Sequence, residues 1–155
     1  YRYFRGEPLF PFGHGLSYTT FSYTDFSLAK TELIAGETLD ISVNITNSGS
    51  ISGDEVVQLY IQDEFASLPR PVQELKGYFR LTFAPAERKT ITFHLPIDQL
   101  AFYDTDFNLV VESGSFKVMV GSSSADIRCE GGFRVTGEKK AVVKERVFLC
   151  PVSVH

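Results

Sequence analysis

The stretch Leu39–Thr46 reads LDISVNIT, and its pattern decides the fold. Leu39, Ile41, Val43 and Ile45 alternate with Asp40, Ser42, Asn44 and Thr46. A period of two puts the apolar set on one face and the polar set on the other, as in a half-buried β-strand. The same beat returns further on. In EVVQLYIQD, Val57, Leu59 and Ile61 share a face, with Val56, Gln58 and Tyr60 opposite. In KTITFHLP, Ile91, Phe93 and Leu95 alternate with Thr90, Thr92 and His94. In SFKVMVG, Phe116, Val118 and Val120 alternate with Lys117 and Met119. Turn chemistry separates the runs: Ala35-Gly36-Glu37, Asn47-Ser48-Gly49, Ser52-Gly53-Asp54, Pro85-Ala86-Glu87 and Ser113-Gly114. No window shows a helical stripe. Short strands at even spacing, with Gly and Pro between them, predict an all-β sandwich.

The ends read differently. Residues 1–21 are aromatic and rich in Gly and Pro, without alternation, and suit an extended lead-in that packs on something. Residues 137–155 form a C-terminal extension with one strand-like run, Ala141 to Leu149. The chain of 155 residues is long enough for one domain with a hydrophobic core. Its net charge of -4 argues against a nucleic-acid partner, which needs clustered Lys and Arg. No apolar run is long enough to span a bilayer, so no membrane partner is expected. A start at Tyr1, without Met or signal peptide, reads as an excised piece of a longer protein.

PFGHGLSY (residues 11–18) puts His14 between two glycines, with Ser17 outside them. A nucleophile elbow needs the serine between the glycines. A dinucleotide loop needs a third glycine where Tyr18 stands. The stretch therefore reads as a sharp bend permitted by Gly13 and Gly15 and anchored by Phe12, Leu16 and Tyr18. Asp104-Thr105-Asp106-Phe107-Asn108 begins like a calcium loop but has Leu109 and Ser115 where Gly and Glu belong, so it reads as a hairpin turn. The acidic residues Asp54, Glu55, Asp63, Glu64, Asp104, Asp106 and Glu112 fall at expected strand ends or turns, the usual place of solvated carboxylates. His14, His94 and His155 are scattered, and His94 reads as solvent-facing, so no nucleophilic triad is expected. No metal or cofactor is expected.

Three features stay open on the residues alone. Cys129 and Cys150 would close a loop of about 20 residues if they were bridged, worth about 3 kcal/mol. In ASLPRPVQELKGY (66–78), Pro69 and Pro71 stiffen a loop around Arg70, which suits either a docking guanidinium or a plain connection. Asn44-Ile45-Thr46 fits a glycosylation acceptor, relevant only in a eukaryotic secretory setting.

The strings PLFPFGHGLSYTTFSY, NSGSISGDEVVQLYIQD, PRPVQELKGY and AFYDTDFNLVVESGSFKVMVGSSSADIR stand in one order. Together they resemble the C-terminal region of glycoside hydrolase family 3 enzymes, the β-glucosidases and β-xylosidases. The resemblance runs from about Tyr3 to Val135. It implies an immunoglobulin-like, fibronectin type III-like sandwich over residues 22–136, with residues 1–21 as the link from a catalytic part. The family's aspartate nucleophile and acid/base lie on other domains, so the resemblance places no catalytic residue here. It implies an accessory domain that braces the catalytic domains of the same parent chain and borders the substrate entrance in some members. Phe12, His14, Tyr18, Arg70 and Pro71 are the expected interdomain residues. The alternative is a carbohydrate-binding module that holds oligo- or polysaccharide through Phe65, Tyr78, Phe79 and Tyr103. A secreted or periplasmic parent is favoured.

Overall fold

The structure, a computed structural model, describes residues 8–155. Ten strands form two facing sheets. The strands are β1 (Phe21–Leu28), β2 (Glu32–Leu33), β3 (Thr38–Asn47), β4 (Gly53–Asp63) and β5 (Glu74–Phe83), then β6 (Arg88–Pro96), β7 (Phe102–Tyr103), β8 (Leu109–Gly121), β9 (Ile127–Val142) and β10 (Val152–Val154). The smaller sheet has the order β1-β3-β6-β10. The larger has the order β2-β9-β8-β4-β5, with β7 paired to β8. Only β2 against β9 is parallel among the described pairings. A single 3-10 turn, Ile97–Leu100, follows β6.

The alternating runs supply the core. Leu39, Ile41, Val43 and Ile45 of β3 and Ile91, Phe93 and Leu95 of β6 are fully buried. They face Val57 and Leu59 of β4 and Val118 and Val120 of β8 across the sandwich. Interdigitated inner faces of this kind are what hold two sheets together. Polar partners ladder the outer face of the smaller sheet: Ser42 with Thr92 at 2.8 Å and Asn44 with Thr90 at 2.6 Å.

The chain's last residues belong to the sandwich. The expected division at residue 137 falls inside β9, which runs on to Val142. Strand-like character expected through Leu149 stops there: Val143 keeps one backbone bond to the Leu109 carbonyl of β8 at 2.9 Å, and residues 143–149 form no strand. The chain then returns as β10, pairing with β6 through Val152↔Phe93 and Val154↔Ile91. Cys150 and Val152 pack against the core on this return. Gly77 of β5 makes room for it: a Cβ there would meet Phe93 at 3.1 Å and the Cys150 Cβ at 3.2 Å.

Both cysteines are free thiols. Cys129 pairs with Val120, Val120 with Leu59, and Leu59 with Gly77, the residue that Cys150 packs against. Three strand spacings, about 14 Å, therefore separate Cys129 from Gly77, beside which Cys150 packs. A disulfide needs Cα atoms within about 7 Å. The bridge left open by the sequence is excluded by this register.

Candidate functional site

The outer face of β4 should be wet by its alternation, yet Gln58 and Tyr60 are buried there. Residues 11–16 of the lead-in cover them. The Gln58 side-chain amide donates to the Gly13 carbonyl at 3.3 Å and to the Ser122 carbonyl, and the Tyr60 hydroxyl donates to the Gln58 carbonyl oxygen. Ser124 N–H donates to the Phe12 carbonyl at 2.9 Å, and His14 N–H closes a turn onto the Pro11 carbonyl at 3.1 Å. Gly13 has φ +78°, and a Cβ there would sit 2.2 Å from Gln58 Oε1. Only glycine fits this approach.

The bend is thus held through its backbone, a correction to the expected anchoring by side chains. Phe12, Leu16 and Tyr18 are 66%, 93% and 98% exposed. Leu9 and Phe10 are exposed beside them, and Phe10 stacks on His14 at 5.3 Å between ring centroids. The carbonyls of Phe12 and Gly13 are pinned while their neighbours' apolar side chains point away. Between this segment and β4–β5 lies an open cavity of about 590 Å³, lined by Phe12, His14, Leu16, Val56, Leu75 and Tyr78, with Asp54 and Arg80 at its rim.

Asn47, at the end of β3, ties the lead-in to the turn that follows. It is fully buried. Its side-chain oxygen accepts from Thr19 Oγ1 at 2.6 Å and Gly49 N–H at 3.0 Å, and its amide donates to the Ile51 carbonyl at 2.8 Å. Sequence reading took Asn47 for an ordinary turn residue. Below it, Tyr23 donates to Glu55 at 2.6 Å, and Arg128 lies over the Tyr23 ring while its guanidinium donates to the Phe21 carbonyl at 2.7 Å. Burial pushes the Glu55 carboxyl above its ordinary value of 4.5, against the pull of the Tyr23 hydrogen bond and Arg128. Glu55, Asp104 and Glu112 are buried, not solvated as expected, because partners wait for them. Ser67 donates to Glu112, and Asp104 accepts the backbone N–H groups of Asp106 and Asn108, closing the turn read from the sequence.

Arg70 is occupied within the chain. Its guanidinium donates to Glu74 at 2.8 Å and to the Leu100 carbonyl at 3.3 Å, and lies 4.7 Å from the Phe102 ring centroid. Lys76 donates to the same Glu74 at 2.8 Å and to the Gln99 carbonyl at 3.1 Å. The loop is therefore stapled to the 3-10 turn, and Pro71 with Val72 are what it presents outward.

The four expected sugar-contact residues do not converge. Tyr78 pairs with Gln58 on the outer face of β5 and lines the lead-in cavity. Phe79 pairs with Val57 and so turns to the other face. Phe65 lies beyond the end of β4, and Tyr103 sits on β7 against Leu109. His94 lies partly exposed on the outer face of the smaller sheet and there bridges two strands: Nδ1 lies 2.7 Å from Asp40 and Nε2 lies 2.9 Å from Ser153. Sequence spacing concealed this bridge because Ser153 lies in the unassigned extension. Asn44 of the acceptor pattern donates to Asp25 at 2.8 Å from the middle of β3.

Comparison with known proteins decides the class of the sandwich. Residues 55–124 match the family described as fibronectin type III-like domain. The sandwich is a fibronectin type III-like domain. The chain is 48% identical over 124 residues to a β-xylosidase of Formosa agariphila, covering 80% of this chain and 17% of that protein. It is 40% identical to the periplasmic β-glucosidase of Salmonella typhimurium, covering 86% of this chain and 18% of that protein. The crystal structure of a β-glucosidase from Listeria innocua in complex with glucose superposes with a TM-score of 0.81 at 40% identity, over 88% of this chain and 19% of that one. The fibronectin type III-like domain thus spans about a fifth of the length of these relatives, in their C-terminal part.

Proposed function

We propose that this domain braces the catalytic part of a family 3 β-glycosidase, whose hydrolysis of O-glycosyl bonds proceeds on residues outside this chain. The single observation that carries the reading is the lead-in. Its backbone is hydrogen-bonded onto β4 and the β8–β9 turn, while Leu9, Phe10, Phe12, Leu16 and Tyr18 stand in water. Contiguous exposed apolar side chains mark an interaction surface. The relatives extend to about five times the length of the matched region and carry it C-terminally, so their remaining chain arrives through this segment. Each such side chain gains about 1.5–3 kcal/mol on full burial. Phe12, His14, Tyr18 and Tyr78 belong to that face, with Pro71 at a second, smaller contact. A role at the substrate entrance is the finer form of the same proposal. The scattering of Phe65, Tyr78, Phe79 and Tyr103 disfavours a sugar platform, which needs aromatic faces side by side. The name of the Salmonella typhimurium relative supports an exported parent.

The test is a parent enzyme carrying Phe12→Ser, Leu16→Ser and Tyr18→Ser together. In the isolated 155-residue chain these changes leave the melting temperature unaltered, because the side chains are already wet. In the parent the melting temperature falls by several degrees. Equal melting of substituted and unsubstituted parent would contradict the bracing role.

A further inference from the structure

The outer face of the smaller sheet carries a second constellation, remote from the lead-in. Asp40 on β3 stands opposite His94 on β6, and Ser153 on β10, opposite Thr92, reaches His94 diagonally across the strand pair. Asp40 Oδ1 is 2.7 Å from His94 Nδ1, and His94 Nε2 is 2.9 Å from Ser153 Oγ. The chemistry of the atoms sets the direction of both bonds. A carboxylate can only accept, so Nδ1 carries the ring proton toward Asp40. The neutral ring then has its lone pair on Nε2, and Ser153 must donate. This is the arrangement in which a histidine acts as general base toward a serine hydroxyl while a carboxylate holds its tautomer.

The position of β10 adds a further element. It pairs with β6 alone among the described strands. Pro151 and His155 bond their backbone groups to His94 and Thr90 of β6. Antiparallel alternation then turns the N–H groups of Val152 and Val154 to the open edge. The Val154 N–H, next in the chain to Ser153, is therefore free to donate to an oxygen drawn up beside the Ser153 hydroxyl.

We propose that Ser153 is an activated nucleophile that accepts small acyl groups, of acetyl size, from activated esters. Its Oγ bonds to the ester carbonyl carbon as the hydroxyl proton passes to His94 Nε2. The bond from carbon to the leaving oxygen then breaks, and His94 returns the proton to that oxygen where its basicity requires it. The product is an O-acyl serine, which water hydrolyses by the same path in reverse. Ser153 lines none of the described cavities, so little binding energy is available to hold an ester, and the reaction is slow beside a dedicated esterase. His94 and Asp40 act here as base and positioning residue.

The probe is p-nitrophenyl acetate with the 155-residue chain, followed by p-nitrophenolate release and by peptide mass spectrometry. Release is expected in stoichiometric excess over buffer, with the acetyl group on Ser153. Ser153→Ala abolishes the labelled peptide. His94→Gln keeps a hydrogen-bonding side chain but lowers the acylation rate by about a hundredfold or more. Asp40→Asn lowers it as well, because the amide no longer holds the His94 tautomer. Circular dichroism confirms that each variant remains folded; if one does not, Ser153→Cys in the folded chain reports on the same base through its alkylation rate with and without His94→Gln. Acetyl groups confined to lysines, or equal acylation of Ser153 in wild type and His94→Gln, would overturn the proposal and leave the constellation a polar ladder.

Discussion

Arg70 directs its guanidinium inward, to Glu74 and the Leu100 carbonyl, with 12% of its side chain exposed. Replacing it with Ala leaves Glu74 with Lys76 alone and strips a donor from the 3-10 turn. The expected loss is about 1.5–3 kcal/mol, since hydrogen bonds to charged groups are involved. Arg70→Lys recovers little of it, because the ammonium lacks the fork that reaches both acceptors. Urea unfolding of the isolated domain measures both. Glu55 gives a prediction in pH. Its folded-state pKa lies above the ordinary carboxylate value of 4.5, so the folded state holds the proton more tightly than the unfolded one. Stability contributed by this group is therefore present at low pH and lost as pH rises from about that ordinary value through the raised one. Asp126 and Glu74 run the other way, with pKa values lowered chiefly by Arg128 for Asp126 and, against desolvation, by Lys76 and Arg70 for Glu74. Their stabilisation is lost as pH falls below the ordinary carboxylate range. Burial raises the Asp63 carboxyl as well, so Glu55→Gln should shrink the decline on the rising side and leave the acid side unchanged.

At the scale of elements, the alternating strands were legible and the ends were not. LDISVNIT, EVVQLYIQD, KTITFHLP and SFKVMVG lie within strands β3, β4, β6 and β8, and their alternate residues fill the core. A period of two is a local property, so no tertiary knowledge is needed to read it. β10 has only three residues and takes its place from β6, so nothing in VSV announces it. The burial of Gln58 and Tyr60 is equally non-local, since it depends on a glycine bend 45 residues earlier for Gln58. Gly77 tests the closing return of the chain. Gly77→Ala introduces a Cβ against Phe93 and Cys150, and overpacking of this kind costs about 1–3 kcal/mol. Amide exchange should rise across residues 148–154 in this variant while β3 and β8 stay protected. A uniform change across the domain would mean that β10 does not open separately.

For the molecule as a whole, the two faces have different characters. The smaller sheet presents outward the paired side chains of Ser42 with Thr92 and Asn44 with Thr90, satisfied within the chain. The larger sheet presents a lead-in whose backbone is satisfied and whose side chains are not. The aromatic composition of residues 1–21 already sets the lead-in apart in the sequence, but which of its atoms the fold uses is a tertiary property. In the relatives further chain precedes the matched region, and the exposed lead-in is the surface proposed to meet it. The most direct measurement is hydrogen–deuterium exchange of peptides spanning residues 8–18 and 74–80, compared between the isolated domain and the full-length parent enzyme. The account predicts strong added protection of both peptides in the parent, with β3 and β6 unchanged. Identical exchange of residues 8–18 in the two proteins would contradict it, and the lead-in would then be a tether with no docking role.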